Sequence, residues 1–159
     1  MSKSKIIACR TLEDEITSIL PKSIHCEFLE YALHNTPDVL KKELAGKVKE
    51  ATNYDIVLMG YGLCSNGTAG LGSVNQTLVI PKVHDCISLL LGSREKYKVE
   101  FDKHPATYYL SVGWIKQKGD PLSSFLRYCE RYGEENAKWV ISQQYANYQR
   151  VAYIHTVEQ

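Results

Sequence analysis

Cysteine is the residue type in this chain with the greatest capacity for chemistry, and three of the five cysteines follow predicted β-strands. Cys9 comes after KSKIIA, Cys64 after DIVLMGYGL and Cys86 after TLVIPKVHD. In a parallel α/β sheet the carboxyl ends of the strands share one edge, and ligands bind there. We therefore expect these thiols to meet in space, in a metal site or a site of thiolate chemistry.

The segment PKVHDC places two further reactive residue types beside a thiol. His84 and Asp85 directly precede Cys86, at the start of a helix predicted over 84–91. The free N–H groups of a helix N-terminus stabilise a thiolate, so this position predicts a lowered pKa for Cys86. His84 is a candidate metal ligand or general base. Asp85 belongs either to the site or only to the helix cap.

A glycine-rich loop follows the strand that ends at Gly60. Five glycines fall between Gly60 and Gly72, and glycine lets backbone N–H groups approach a ligand. The spacing matches neither a P-loop nor a dinucleotide fingerprint, so the loop is either a plain crossover or a ligand cradle. The candidate ligand-binding residues are Gly60, Tyr61, Gly62, Asn66, Gly67 and Asp85, with His34 and Trp114 at other strand ends.

The remaining cysteines point away from the site. Cys129 falls on the apolar stripe of a predicted helix, which favours a core position. Cys26 lies near the start of its strand, at the opposite edge of the sheet. His155 also ends a predicted strand and is a weaker candidate for the same crevice.

The elements that must position these residues alternate between strand and helix. Strands are predicted at 5–9, 24–33, 55–60, 77–80, 107–112 and 150–156, with helices beginning near Thr11, Thr36, His84, Ser93, Asp120 and Glu134. This alternation predicts one Rossmann-like α/β domain over residues 1–159. We expect a mostly parallel sheet of five or six strands with helices on both faces.

Composition excludes several classes of partner. A net charge of +1 gives no field that would attract nucleic acid or a membrane surface, and no apolar run is long enough to span a bilayer. No apolar leader is visible, and an odd number of cysteines argues against a disulfide framework. We therefore expect a cytoplasmic protein with reduced thiols.

The segments GYGLC, IPKVHDCISLLLGSREKY and PATYYLSVGW resemble an uncharacterised prokaryotic family, a domain of unknown function found in methanogenic archaea and anaerobic bacteria. Some genes of that family lie near corrinoid-dependent methyltransferases. The resemblance runs from Ile6 to about Trp114 and more weakly to Thr156. It implies an anaerobic setting, a link to one-carbon metabolism and a corrinoid-linked protein as partner. The positions that match its cysteine motifs are Cys9, Cys64, His84, Asp85 and Cys86.

This chain departs from the family pattern at two points. Arg10 follows Cys9 where the pattern has a small residue such as glycine. The chain also ends earlier than the fuller pattern, which implies that a C-terminal portion of the domain is missing.

Three functions remain open at this point. The first is a metal-binding protein in which Cys9, Cys64 and Cys86 hold zinc or an iron–sulfur cluster, with His84, water or a substrate in the fourth position. The second is a metal-free thiol enzyme with Cys64 or Cys86 as nucleophile and His84 as base. The third is a small-molecule or corrinoid-linked binding module that uses the Gly60–Gly72 loop. The metal site is preferred because it uses all three thiols.

Overall fold

The computed structural model describes residues 2–156, in which strands and helices alternate along the chain. The strands are β1 Ser4–Cys9, β2 His25–Leu29, β3 Ile56–Gly60, β4 Thr77–Val79, β5 Thr107–Leu110 and β6 Arg150–Tyr153. The α-helices are α1 Glu13–Ile19, α2 Pro37–Glu50, α3 Cys86–Leu90, α4 Arg94–Lys103, α5 Val112–Lys116, α6 Pro121–Tyr132 and α7 Glu134–Gln144. Single 3-10 turns cover Arg10–Leu12 and Tyr31–Asn35.

The main sheet has four parallel strands in the order β2-β1-β3-β4. The chain passes from β1 outward to β2 and then returns to form β3 on the other side of β1. The direction of winding therefore reverses between β1 and β3. In open parallel sheets a crevice opens at this reversal, outside the carboxyl ends of the strands.

The two faces of the main sheet are covered by different helices. On one face Ile7 and Cys9 of β1 pack with the stripe of leucine and valine that α2 presents at every fourth residue, Leu40, Leu44 and Val48. On the other face Ala8 lies against Gly60, and a Cβ built on Gly60 would come within 3.3 Å of Ile16 in α1. Side chains alternate along a strand, so the predicted arrangement of helices on both faces is present.

A single sheet of five or six strands is not confirmed, because β5 and β6 pair in parallel as a separate two-stranded sheet. A central strand of a parallel sheet is buried on both faces and is usually a continuous apolar run. β5 instead carries Tyr108 and Tyr109 in half-buried positions, and Val151 of β6 is exposed. Neither strand has the residues for a place inside the main sheet.

Several helix starts follow the predicted capping residues and others do not. The side chains of Asp85, Ser93 and Asp120 each accept a hydrogen bond from a backbone N–H in the first turn of α3, α4 and α6. Thr11 and Thr36 make no such bond to a helix start. In the described chain no helix is both long and apolar enough to cross a bilayer.

Candidate functional site

A cavity of about 230 Å³ opens at the carboxyl edge of the main sheet. Every strand of that sheet contributes the residues that follow it, and α5 closes one side. All three cysteines of interest line this cavity. The lining residues are Cys9 at the end of β1 and Thr11 after it, Glu30, Tyr31, Leu33 and His34 after β2, Leu40 of α2, Tyr61, Cys64 and Ser65 after β3, His84, Asp85, Cys86 and Ile87 after β4, and Trp114 of α5.

Cys9 is the last residue of β1 and is buried. The Thr11 hydroxyl donates a hydrogen bond to its sulfur at 3.2 Å. Burial raises the pKa of the Cys9 thiol, although hydrogen bonds from the side chain and backbone of Thr11 act in the opposite direction. Thr11 therefore serves this sulfur rather than the start of a helix.

Cys64 begins a left-handed turn, a backbone conformation that side chains other than glycine rarely adopt. Cys64, Ser65 and Asn66 have φ values of 44°, 54° and 70° in succession, and the Gly67 N–H donates to the Cys64 carbonyl at 3.0 Å. Each such residue costs roughly 1–2 kcal/mol, and strain of this kind concentrates at functional sites. The pKa of the Cys64 thiol is raised to about 11, chiefly by burial, with Cys9 and Asp85 adding to the effect.

The loop after β3 is fastened to the segment after β4 by backbone hydrogen bonds. The Leu63 N–H donates to the Val83 carbonyl at 2.9 Å, and the Cys64 N–H donates to the His84 carbonyl at 3.0 Å. The contact is close enough to require glycine, because a Cβ on Gly62 would lie 2.8 Å from the Val83 oxygen and 2.8 Å from the Asp85 nitrogen. These paired segments, 62–64 and 83–85, form a backbone ribbon that brings Cys64 and Cys86 to the same cavity.

Cys86 is the first residue of α3. The prediction that this position lowers its pKa is wrong. The pKa of the Cys86 thiol is raised, first by burial and then by Cys9, Cys64 and Asp85, while a side-chain hydrogen bond from Trp114 acts the other way. Burial next to other ionisable groups outweighs the helix N-terminus here. In metal-free protein Cys86 is therefore protonated at neutral pH.

Hydrogen-bond donors are in place for all three sulfurs. Thr11 forms hydrogen bonds with the Cys9 sulfur, and Trp114 forms one with the Cys86 sulfur. The Cys64 sulfur has hydrogen bonds with the backbone of Gly62 and Cys86. Donors of this kind favour thiolates, yet a charge on Cys9 raises the pKa of Cys64 and Cys86, and a charge on Cys64 raises that of Cys86. No lysine or arginine is among the described residues that line the cavity. Across residues 2–156 no three His, Cys, Asp or Glu side chains are already arranged as a metal site.

Tyr61 places a polar group without a partner beside the thiols. Its side chain is only 3% exposed, and its hydroxyl has no hydrogen-bond partner among the described residues. Its pKa is raised by burial and then by Cys9, Cys64 and Cys86. Buried hydroxyls in folded proteins are nearly always bonded, so the Tyr61 hydroxyl is free to make a hydrogen bond to a further group in the cavity.

Aromatic rings form the wall of the cavity opposite the glycine loop. Trp114 meets Tyr31 and His34 edge-on, with ring centroids 5.6 Å apart in both pairs, and His34 Nδ1 contacts the Tyr31 carbonyl. Trp114 reaches this wall because α5 packs closely on the turn after β1: a Cβ on Gly113 would lie 1.9 Å from the Thr11 carbonyl oxygen. The wall suits a flat or apolar group.

His84 and Asp85 have separate roles. Asp85 accepts hydrogen bonds from the Ser88 N–H at 3.0 Å and the Ser88 hydroxyl at 3.1 Å, so it is the cap of α3. His84 lies at the rim with 72% of its side chain exposed, and its Nδ1 is 3.3 Å from an Asp85 oxygen. His84 therefore lines the cavity at its solvent-exposed rim.

A match to a family model shows which protein family this chain belongs to. The family of proteins of unknown function (DUF1638) matches residues 28–159. The chain belongs to that DUF1638 family. This agrees with the resemblance to an uncharacterised domain. Neither the search of curated proteins nor the search of solved structures gives a match.

Within this DUF1638 member, two of the three thiols lie in the segment that the family shares. Cys64 and Cys86 fall inside residues 28–159, whereas Cys9 precedes them. The other cysteines lie elsewhere in the fold. Cys26 is the second residue of β2, and Cys129 on α6 is half-buried rather than a core residue.

The structure assigns the loop glycines to packing instead of to a cradle. Gly60 contacts Ala8 on the α1 face, Gly62 contacts the segment after β4, and Gly67 contacts Leu40. Asn66 is exposed at the end of the left-handed turn. None of these four lines the thiol cavity, and His155 lines a different depression beside Tyr109.

Of the residues that follow β2 and line the cavity, sequence reasoning anticipated His34 and missed Glu30, Tyr31 and Leu33. The strand was expected to continue to residue 33, but it ends at Leu29, and the 3-10 turn behind it supplies Tyr31 and His34. The clustering of Glu30, Tyr31 and His34, all polar or aromatic residues, after an apolar run was the available signal. Thr11, Leu33, Leu40, Ser65 and Ile87 carried no such signal.

Proposed function

We propose that this protein binds a soft metal, either zinc or an iron–sulfur cluster, through Cys9, Cys64 and Cys86. The observation that carries the proposal is that three thiols, delivered by the loops after three strands, line one cavity with hydrogen-bond donors for each sulfur. Thiolates are the ligands that such metals prefer, and donors to the sulfurs are the usual support around them. A cation among the thiols would also remove their mutual repulsion.

The unbonded Tyr61 hydroxyl supports the same proposal. A neutral thiol is a weak hydrogen-bond acceptor, whereas a thiolate is a strong one. Deprotonation of the three thiols on metal binding would therefore supply the partner that Tyr61 lacks. Because the three thiols do not yet form a ready-made metal site, binding must draw the side chains together.

We infer that the fourth position is left for a bound molecule. His84 is largely exposed at the rim, while the buried remainder of the cavity is walled by aromatic rings. Three protein ligands with an open position are typical of catalytic zinc. A bound zinc ion would supply Lewis acidity there, and the aromatic wall would orient the bound molecule and exclude water.

The metal-free thiol enzyme is less well supported. A nucleophilic cysteine needs a depressed pKa, and the pKa values of Cys9, Cys64 and Cys86 are all raised. The anaerobic, corrinoid-linked setting implied by the resemblance remains part of the proposal, because reduced thiolates and iron–sulfur clusters persist without oxygen. The small-molecule binding function is compatible with the metal site, because the aromatic wall that would contact a small molecule lines the same cavity.

We further propose that the main sheet is of the Rossmann-like, doubly wound type. Its order β2-β1-β3-β4 places the reversal of winding between β1 and β3, as in the flavodoxin-like folds. Cys9 ends β1 and Cys64 follows β3, so both thiols flank that reversal. Ligands of doubly wound folds bind at this position.

Metal analysis and a visible spectrum of protein purified without oxygen test the proposal. We expect about one metal site per chain: stoichiometric zinc, or iron with a brown colour. Cys9→Ser, Cys64→Ser and Cys86→Ser should each lose most of the metal, whereas Cys26→Ser and Cys129→Ser should retain it. Equal retention by all five folded variants, or wild-type protein that retains no added metal, would overturn the proposal.

A further inference from the structure

We propose that a second depression, outside the thiol cavity, binds the anionic end of a small organic acid. This anion groove has a volume of about 590 Å³ and lies along the segment that follows β4. It is lined by Leu63, Thr68, Ile80, Pro81, Lys82, Val83, His84 and Arg94. Its role as part of a substrate site rests on the proposed function, but its binding of an anion does not.

The charges around the groove are of one sign. Lys82 and Arg94 both line it, His84 stands at its border, and no aspartate or glutamate is part of the lining. The side chains of Lys82 and Arg94 have no ion-pair or hydrogen-bond partner within residues 2–156. Nearby cations in a partly apolar depression attract a carboxylate or phosphate, and arginine can bind either one through two parallel hydrogen bonds.

The groove and the thiol cavity lie against the same backbone ribbon. The hydrogen bonds from Leu63 to Val83 and from Cys64 to His84 join the two loops, and residues alternate along this ribbon. Leu63 and Val83 line the groove, Cys64 lines the thiol cavity, and His84 lines both. His84 is therefore the residue at which the groove and the thiol cavity adjoin.

The lining also limits the rest of the ligand. Leu63, Ile80, Pro81 and Val83 make most of the wall apolar, and the Thr68 hydroxyl is already bonded to the Gly62 carbonyl at 3.0 Å. Such a wall offers nothing to a polyhydroxylated chain such as a sugar. The structure thus assigns the groove to a carboxylate on a short hydrocarbon chain.

Binding of hexanoate, with hexylammonium as the matched probe of opposite charge, tests this assignment in metal-free protein. We expect hexanoate to shift the backbone amide NMR signals of Leu63, Thr68 and Val83, and hexylammonium to leave them in place. The double variant Lys82→Gln/Arg94→Gln should bind hexanoate about tenfold more weakly, a loss consistent with two partly exposed charge contacts. Lys103→Gln, at the far end of α4, should bind as the wild type does.

Three results would overturn the assignment. These are equal binding of both probes, unchanged affinity in the folded double variant, or shifts confined to a different part of the chain. Because no metal is added, the outcome is independent of whether the thiols bind one. A protein that binds hexanoate here but retains no metal would keep the groove and remove the proposed function.

Discussion

Three thiols that line one cavity, Cys9 buried and Cys64 and Cys86 half-buried, are the chemical centre of the site. Each receives hydrogen bonds suited to a thiolate, yet burial raises the pKa of all three thiols, and neighbouring sulfurs raise the pKa of Cys64 and Cys86 further. Ionisation of these thiols at neutral pH therefore requires a cation that binds among the sulfurs. The helix-start position of Cys86 suggested a reactive thiolate from sequence, but sequence does not reveal that two other thiols share its cavity.

The raised pKa of Cys64 predicts how the stability of metal-free protein depends on pH. The folded state holds the Cys64 proton up to about pH 11, whereas the ordinary value is 9.0. The stabilisation is therefore complete below pH 9 and is lost as the pH rises through 11. Urea denaturation between pH 8 and 11 should show the free energy of unfolding falling with pH, and Cys64→Ser should reduce the slope. Stability that does not change over this range would contradict the prediction.

The Tyr61 hydroxyl predicts opposite effects on stability and on metal binding. Tyr61→Phe removes a buried, unbonded hydroxyl, so the metal-free protein should be as stable as wild type or more stable, by about 1 kcal/mol. The same variant should bind zinc or cobalt more weakly. In its cobalt form the sulfur-to-metal charge-transfer band should move to longer wavelength, because a hydrogen bond to sulfur has been lost. Thermal denaturation and metal titration measure the two effects.

Tyr109→Phe is the matched control. Its hydroxyl is also buried and unbonded within residues 2–156, but it lies on β5, away from the thiol cavity. It should share the effect on stability and leave metal affinity and the cobalt spectrum unchanged. If the two variants change metal affinity equally, Tyr61 has no particular role at the thiols.

The left-handed turn is the element that presents Cys64 to the cavity. Ser65 has a φ of 54° within the turn, and glycine adopts this conformation without the cost that a side chain adds. Ser65→Gly should raise the free energy of unfolding by about 1 kcal/mol, measured by chemical denaturation. Asn66→Gly should gain less, because asparagine tolerates this region better. A loss of stability in Ser65→Gly would mean that the turn is not strained.

The backbone ribbon between the loops after β3 and β4 leaves no room for a methyl group at Gly62. Gly62→Ala would place Cβ 2.8 Å from two backbone atoms, so the ribbon must open and the metal-free protein should lose about 1–3 kcal/mol. Metal retention should fall with it, because Cys64 and Cys86 depend on this contact. Gly72→Ala, with no atom within 4 Å, should be tolerated. Denaturation and metal analysis of both variants check the prediction.

The elements show where sequence reasoning succeeds and where it stops. β1, β3 and α2 follow from continuous apolar runs and a four-residue stripe, because local pattern and burial agree in them. β2 ends four residues earlier than expected, since Glu30 and Tyr31 leave the strand for a turn. The pairing of β5 with β6 depends on contacts between distant segments, which no local pattern encodes.

For the whole molecule, parallel strand order explains why distant loops reach one cavity. The meeting of residues that follow β1, β3 and β4 could be anticipated, because carboxyl ends of parallel strands share an edge. Trp114 was also anticipated as a residue at a strand end, but the close contact of Gly113 with the turn after β1, which brings α5 to the cavity, could not be. The family match shows that the chain belongs to the DUF1638 family, whose function is unknown.

X-ray absorption at the zinc edge, on protein loaded with one equivalent of zinc without oxygen, tests whether the three thiols bind a metal. We expect three sulfur neighbours at about 2.3 Å, the ordinary zinc–thiolate distance. Cys86→Ser should lose one of them, and Cys129→Ser should keep all three. A spectrum with only nitrogen and oxygen neighbours at about 2.0–2.1 Å, or protein that retains no zinc after desalting, would show that the three thiols do not bind zinc.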